Sequence, residues 1–403
     1  MAERVVVTGI GIISALGIGK DAHITALRNG RSRVHKAAYL RSIHVPDFVL
    51  GEVNMSNDDL SVSAGIPDGD NGYTRTTLLS LAAMKDLLGT TDISVLRDEP
   101  FALINANTVG GMSKIEDIYM DVASPDGDRK NVKYIDTLDC ADSTERIAAH
   151  YGLKPFMATI STACSSSSNS IILGARMIKQ GIVKRAVCGG GDALSRFTLN
   201  GFHTLKNVDK QPCKPFDQNR GGLNIGEAAG FCLLEAESAA KARGANIIAV
   251  LSGYANTNDA YHPTAPSPDG EGAYNTMQMA LEMASLQPAD IGYVNAHGTA
   301  TQNNDLAEGR AIQKLFGSHT PPFSSTKPFT GHTLAAAGVI EAIFSMWAMQ
   351  EQMVIPNLNF ETQMEELNIQ PAKTLVENVS LSHVLSNSFG FGGSNVSLVF
   401  SKP

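Results

Sequence analysis

Short runs of β-branched and aliphatic residues recur along the chain, each followed by a stretch with helical periodicity, and this alternation leaves few folds open. Strands that alternate with helices build α/β layers, because each sheet face and each helix stripe needs an apolar partner. The strand candidates are Arg4–Thr8, Phe101–Ile104, Phe156–Ile160, Arg185–Cys188, Gly230–Glu235, Ile247–Tyr254, Ile291–Asn295, Pro322–Ser325 and Ser397–Phe400. Thr74–Leu88, Ser165–Gln180, Glu237–Arg243, Gly272–Ala284, Asp305–Phe316 and Ala335–Glu351 are the helix candidates. Asn54–Gly72 and the charged stretch Ser124–Lys133 read as surface loops. Of 403 residues, 43% are hydrophobic and 18% charged, which supplies a large core and excludes a disordered chain. A strand and helix close the first half, and Ile247–Tyr254 opens the second with another strand. That suits two similar α/β halves or one intertwined unit.

Charge and cysteine usage remove several function classes. The net charge of −8 argues against a dedicated nucleic-acid binder, since neutralising phosphates takes a basic surface. Cys140, Cys164, Cys188, Cys213 and Cys232 are odd in number and include no Cys-x-x-Cys pair, so a reducing compartment is expected rather than a disulfide framework. The N-terminal MAERVVVTGIGIISALG lacks the features of a secretory signal and reads as a first strand running into a glycine turn. Val339–Met349 is interrupted by Glu341 and falls short of the roughly 18 apolar residues of a membrane span. The expectation is a soluble cytoplasmic protein with no membrane span.

Three blocks offer chemistry. In TISTACSSSSNSIILGARMIKQG a strand leads directly into a helix at Cys164, where the helix dipole favours a thiolate. A small buried cysteine is the competing reading there. In NAHGTATQNND the strand ending at Asn295 delivers His297, with the Thr299 and Thr301 hydroxyls two residues apart. In STKPFTGHTLAAAGVIEA, Lys327 and His332 flank the start of a small-residue helix that carries Glu341. SNSFGFGGSN reads as a glycine-rich turn before the last strand. Gly9-Ile10-Gly11 lacks the third glycine and the acidic partner of a dinucleotide loop, and Cys188–Asp192 reads as a hairpin or chain crossing.

Together with RVVVTGIGIISALG, KPFDQNRGGLNIGEAAG and NDAYHPTAPSPDGEGA, these blocks resemble the β-ketoacyl-acyl-carrier-protein synthases of the thiolase-like superfamily, nearly end to end and in the family's order. The likeness is to the elongating type of fatty-acid synthesis and of type II polyketide or aryl-polyene systems. It implies a layered αβαβα fold of two pseudo-duplicated halves, 1–245 with Cys164 and 246–403 with His297 and His332. It also implies that Cys164 is acylated, that His297 and His332 stand beside it, and that Lys327 and Glu341 support them. Thr299 and Thr301 match the hydroxyls that bind the carrier's phosphopantetheine. Phe391, with Phe389 nearby, matches the gating aromatic, whose N–H forms the oxyanion hole with that of Cys164. Asp305 and Glu308 match acidic supporting positions.

The reaction implied is decarboxylative condensation of a malonyl carrier with an acyl-cysteine, without metal or redox cofactor. The partners implied are an acyl carrier protein and a second ketosynthase subunit, in a homodimer or in a heterodimer with a chain-length factor. A non-catalytic chain-length factor is the alternative identity, and the presence of Cys164 speaks against it. For an acidic carrier, Arg129, Lys130 and Lys133, or Lys206, Lys210 and Lys214, are candidate docking cations. Gly221 stands where the family has aspartate, Ala229 where it has glycine, and Ser165–Ser168 make the turn after the cysteine unusually polar.

Overall fold

The computed structural model describes residues 3–67, 72–97, 99–124, 126–127 and 129–403. Ten strands form the principal sheet: β1 (Val5–Ser14), β2 (Phe101–Ala106), β3 (Phe156–Ile160), β4 (Arg185–Asp192), β5 (Ala228–Ala236), β6 (Ala249–Asn258), β7 (Tyr293–Asn295), β8 (Phe323–Ser324), β9 (His383–Phe389) and β10 (Ser394–Ser401). Their order across the sheet is β3-β2-β4-β5-β1-β6-β10-β9-β7-β8, with Gly17–Ile18 added beside β1.

The order contains a repeat. β1 pairs antiparallel with β5, β5 antiparallel with β4, and β4–β2–β3 run parallel. β6 pairs antiparallel with β10, β10 antiparallel with β9, and β9–β7–β8 run parallel to one another, repeating the pattern of the first leaf. Within the sheet the two leaves join where Val6 and Val7 of β1 pair with Val250 and Ala249 of β6.

Helices complete the layers. α1 (Arg75–Thr90) packs on β1 and β5, and α4 (Glu271–Ala284) packs on β6 and β10. Between the leaves lie α2 (Ser166–Lys179) and α6 (Ala337–Gln350), which contact each other and strands of their own leaves. α6 is buried over nearly its whole length, consistent with an apolar sequence that shows no polar face. Its Val339, Ile340 and Ile343 join Ile171, Ile172 and Ala175 of α2 in the largest core cluster. α3 (Arg196–Thr204) and α5 (Gln302–Phe316) border the site described below. Among the described residues, no helix is long and apolar enough to cross a membrane.

Several local expectations are corrected. The glycines of Gly9–Gly11 do not turn the chain: β1 continues through them to Ser14. A carbon added at Gly11 would stand 2.1 Å from the Ala83 carbonyl, so glycine is needed there for the close approach of α1. Gly189–Gly191 are likewise the buried end of β4 and not a hairpin; a carbon on Gly189 would lie 1.9 Å from the Gly230 carbonyl. SNSFGFGGSN is strand until Phe389 and turns only at Gly390–Gly393, so β9 was missed. Within the two presumed loops, Asn57–Ala64 is helical and Arg129–Leu138 forms a 3-10 helix. Residues 68–71, 125 and 128 and the side chain of Arg129 lie outside the described residues.

Candidate active site

Four turns converge between the two leaves. β3 runs into Ala163, whose φ of 51° is left-handed and strained for alanine, and this kink presents Cys164 just before α2. β7 delivers His297 through the tight turn at Gly298, φ 37°. His332 stands in the turn before α6; its N–H donates to the Asn224 carbonyl at 2.7 Å, and its carbonyl accepts from the Gly226 N–H at 2.9 Å. The β9–β10 turn brings Phe391 across. Cys164 Sγ and a nitrogen from each of His297 and His332 lie within 4.8 Å of one another, all buried. The imidazoles meet edge to face, centroids 5.4 Å apart.

The hydrogen bonds assign the tautomers. His332 Nδ1 faces the Leu334 N–H at 3.1 Å and so accepts, which leaves the proton on Nε2. His297 Nδ1 lies 3.2 Å from Lys327 Nζ, an ammonium without lone pairs, and it too accepts. Burial, then the Lys327 charge, hold both rings well below the ordinary histidine range, and the His332 ring lowers His297 further. Both rings are therefore neutral, with Nε2–H free to donate. A sulfur and two imidazoles so close have the donor types of a zinc site. These tautomers leave neither Nε2 a lone pair, so the arrangement suits a pair of hydrogen-bond donors better than a metal cage.

Buried charges hold the rings in place. Lys327 Nζ donates to the His297 carbonyl and pairs with Glu341. Burial pushes Glu341 up to about 7 against the pull of that ammonium, and its Oε2 has no partner. Glu308 accepts the His297 and Gly298 N–H groups, each at 2.8 Å. Asp305 accepts from Phe216 N at 2.7 Å and from Ala300 N at 3.1 Å. Thr299 and Thr301 oxygens lie 2.8 Å apart.

One expectation about Cys164 fails. Its thiol is not lowered by the helix end; burial raises it to about 11, and Lys327 and the Phe391 and Cys164 amides offset only part of this. Desolvation dominates because Cys164 is only 7% exposed.

Two cavities meet at Cys164. One, about 130 Å³, runs past His297, His332, Thr299, Thr301 and Phe389 to Lys206 and Gln302. The other, about 250 Å³, is walled by Val109, Ala163, Phe202, Leu334 and Phe391 among others. Phe391 stacks on Phe202 at 5.6 Å, and both line both cavities. Phe389 stands 5.9 Å from the His297 ring. Of the second group of candidate docking cations, Lys210 pairs with Asp47 and Lys214 with Glu361, while Lys206 reaches the first cavity.

The sequence reading did not name the residues that wall the second cavity, nor the role of Asp192. This buried carboxylate accepts from Asn107, Thr108 and the Ala335 N–H, tying the cavity wall to the His332 turn. The glycine run ending at Asp192 was its only signal.

The polar turn has a packing explanation. Ser165 Oγ donates to Ser394 Oγ at 2.9 Å, Ser167 Oγ accepts the Val339 N–H, and Ser168 Oγ donates to Ser388 Oγ. The space opposite Gly221 is filled by Asp209, whose oxygen would stand 2.4 Å from an added carbon.

Residues 2–240 match the family model for the β-ketoacyl synthase N-terminal domain, and 248–361 match that for the C-terminal domain. The chain is 32% identical over 413 residues to the 3-oxoacyl-[acyl-carrier-protein] synthase 2 of Staphylococcus aureus (strain COL), covering 99% of this chain and 98% of the relative. Among solved structures it is similar to the ishigamide ketosynthase/chain length factor, with TM-score 0.92, 27% identity and both chains fully covered. It is also similar to a type II polyketide ketosynthase, AntDE, solved with its acyl-carrier protein AntF and bound to the hexaketide: TM-score 0.88, 26% identity, both chains fully covered.

Proposed function

The chain belongs to the β-ketoacyl synthase family and is an acyltransferase of the elongating 3-oxoacyl-acyl-carrier-protein synthase type, and we propose that Cys164, His297 and His332 carry its reaction. The observation behind this assignment is one sulfur within 4.8 Å of two imidazole nitrogens, at the meeting point of two cavities.

Cys164 sulfur attacks the thioester carbonyl of an acyl carrier, the pantetheine sulfur leaves, and the thiol proton ends on that leaving group. The Cys164 and Phe391 amides hold the tetrahedral oxyanion. A malonyl carrier then enters the cavity that holds His297, Thr299 and Thr301. Its C–C bond to the carboxylate breaks, carbon dioxide departs, and the electron pair forms an enolate whose oxygen receives the two Nε2–H groups. Each such donor contributes roughly 3 kcal/mol to a developing oxyanion. The enolate carbon attacks the acyl-cysteine carbonyl, the Cys164–acyl bond breaks with its electron pair staying on sulfur, and the thiolate takes a proton from solvent to restore the thiol. Lys327 and Glu341 hold His297, Glu308 fixes its backbone, and Asp305 shapes the Thr299–Thr301 turn.

Ketosynthases of this family draw their substrates from carrier phosphopantetheine and in general need no metal; we extend both properties to this chain. The partners are an acyl carrier protein and a second ketosynthase-type subunit, a copy of itself or a chain-length factor. Five free thiols fit a reducing cytoplasmic setting.

Incubation with an acyl carrier, followed by intact-mass measurement, should add one acyl group that Cys164→Ala abolishes. A Cys164→Ala protein that still elongates would refute the assignment. His332→Ala should accept the acyl group yet condense at least a hundredfold more slowly.

A further inference from the structure

The buried carboxylate of Asp192 carries an inference about how His332 keeps its proton on Nε2. Asp192 Oδ1 accepts from Asn107 Nδ2 at 2.9 Å and from the Thr108 N–H at 3.2 Å. Its Oδ2 accepts from Thr108 Oγ1 at 2.5 Å and from the Ala335 N–H at 3.0 Å. The amide just before Ala335, that of Leu334, donates to His332 Nδ1 at 3.1 Å and so decides the tautomer. Leu334 has φ 54°, a left-handed conformation that a bulky side chain adopts only where its surroundings impose it. On one side of this residue the chain is tied at His332, whose backbone pairs with Asn224 and Gly226. On the other side the Ala335 N–H is tied to Asp192. Release of that second tie lets Leu334 relax, and its own N–H turns away from the ring.

We propose that Asp192 is a positioning residue for condensation: through the Ala335 and Leu334 amides it holds His332 in the tautomer that donates from Nε2 to the enolate. The inference rests on the ketosynthase reading above and deepens it. Loading of Cys164 does not use that donor, so the second stage depends on Asp192 and the first does not. Asp192→Asn separates the Ala335 contact from the others. Asn107 Nδ2 and the Thr108 N–H can only donate, so the amide carbonyl faces them and the NH2 group faces Thr108 Oγ1 and the Ala335 N–H. The Thr108 hydroxyl can turn and accept. The Ala335 N–H cannot, and it is left unpaired.

The test follows the two stages separately on the full chain. Loading is the initial rate of the Cys164 adduct from a hexanoyl carrier, read by intact mass. Condensation is a single turnover of the pre-acylated protein mixed with a malonyl carrier. Asp192→Asn should load within about threefold of the parent and condense at least about fivefold, and up to about 100-fold, more slowly. In the nitrogen NMR spectrum of isotope-labelled histidine, the His332 signals are identified by their loss in His332→Ala. They should show Nδ1 protonated in part of the Asp192→Asn molecules, where the parent shows it only as an acceptor. In the His332→Ala background, Asp192→Asn should slow the residual condensation by less than about twofold. Condensation slowed by less than fivefold, loading slowed as much as condensation, an unchanged tautomer, or effects that multiply in the double variant each overturn the proposal. If Asp192→Asn does not fold, Asp192→Ser, too short to reach the Ala335 N–H, takes its place with the same outcomes. If the hexanoyl carrier never acylates the parent while iodoacetamide still alkylates Cys164, the ketosynthase assignment itself falls.

Discussion

At the scale of single residues, the balance between burial and helix dipole at Cys164 has a measurable consequence. A thiol at about 11 is protonated throughout the neutral range, so its thiolate fraction grows tenfold per pH unit. Alkylation of Cys164 by iodoacetamide should therefore rise log-linearly from pH 7 to 9.5, without the plateau an unperturbed cysteine shows above about 8.5. A midpoint near 7 would mean that the amides and Lys327 overcome burial. Lys327→Met removes the cation that lowers the thiol and orients His297. The same profile should move to higher pH, and condensation should fall by about 10- to 100-fold in a steady-state assay. Cys164 and His297 were readable from sequence because each sits at an abrupt change from strand to turn, and His332 because it stands with Lys327 at the start of a small-residue helix. Asp192 was not, because a carboxylate at a strand end shows its role only through the amides that surround it.

Among the elements, glycine is the residue whose meaning depends most on what packs nearby. Gly11 and Gly89 look equally free in sequence, one near a strand and one in a helix. Gly11 faces the α1 backbone, whereas Gly89 is exposed with nothing near an added carbon. Gly11→Ala should cost about 3 kcal/mol or more in urea unfolding, if the variant folds at all. Gly89→Ala, in the last turn of α1, should stabilise by up to about 0.5 kcal/mol, through the lower entropy of the unfolded chain. Equal effects in the two variants would contradict the strand placement of Gly11. The same logic explains the corrected reading of Gly189–Gly191: three glycines in a row lie in the buried antiparallel pairing of β4 with β5, which no local propensity separates from a turn.

For the whole molecule, the sheet ends at β3 with apolar side chains in the open. Phe156 is 56% and Met157 44% exposed on this edge strand. An unpaired apolar edge invites another chain, and in a ketosynthase the second subunit is the natural occupant. Met157→Lys places a charge there and should shift sedimentation toward the monomer, with the far-UV spectrum unchanged. An unaltered dimer would mean that association uses another face.

The alternation of strand and helix along the chain, with its apolar content, determined an α/β layered protein, and the local blocks picked out Cys164, His297 and His332, which the structure brings together. These are matters of short-range chemistry: periodicity, turn residues and side-chain type. The tertiary structure alone decided that burial raises the Cys164 thiol, that both imidazoles present Nε2–H to the same space, and that two cavities meet at the sulfur. Each of those depends on desolvation and on neighbours that the fold gathers around the sulfur and the two rings, and neither quantity exists until the two leaves close over the site.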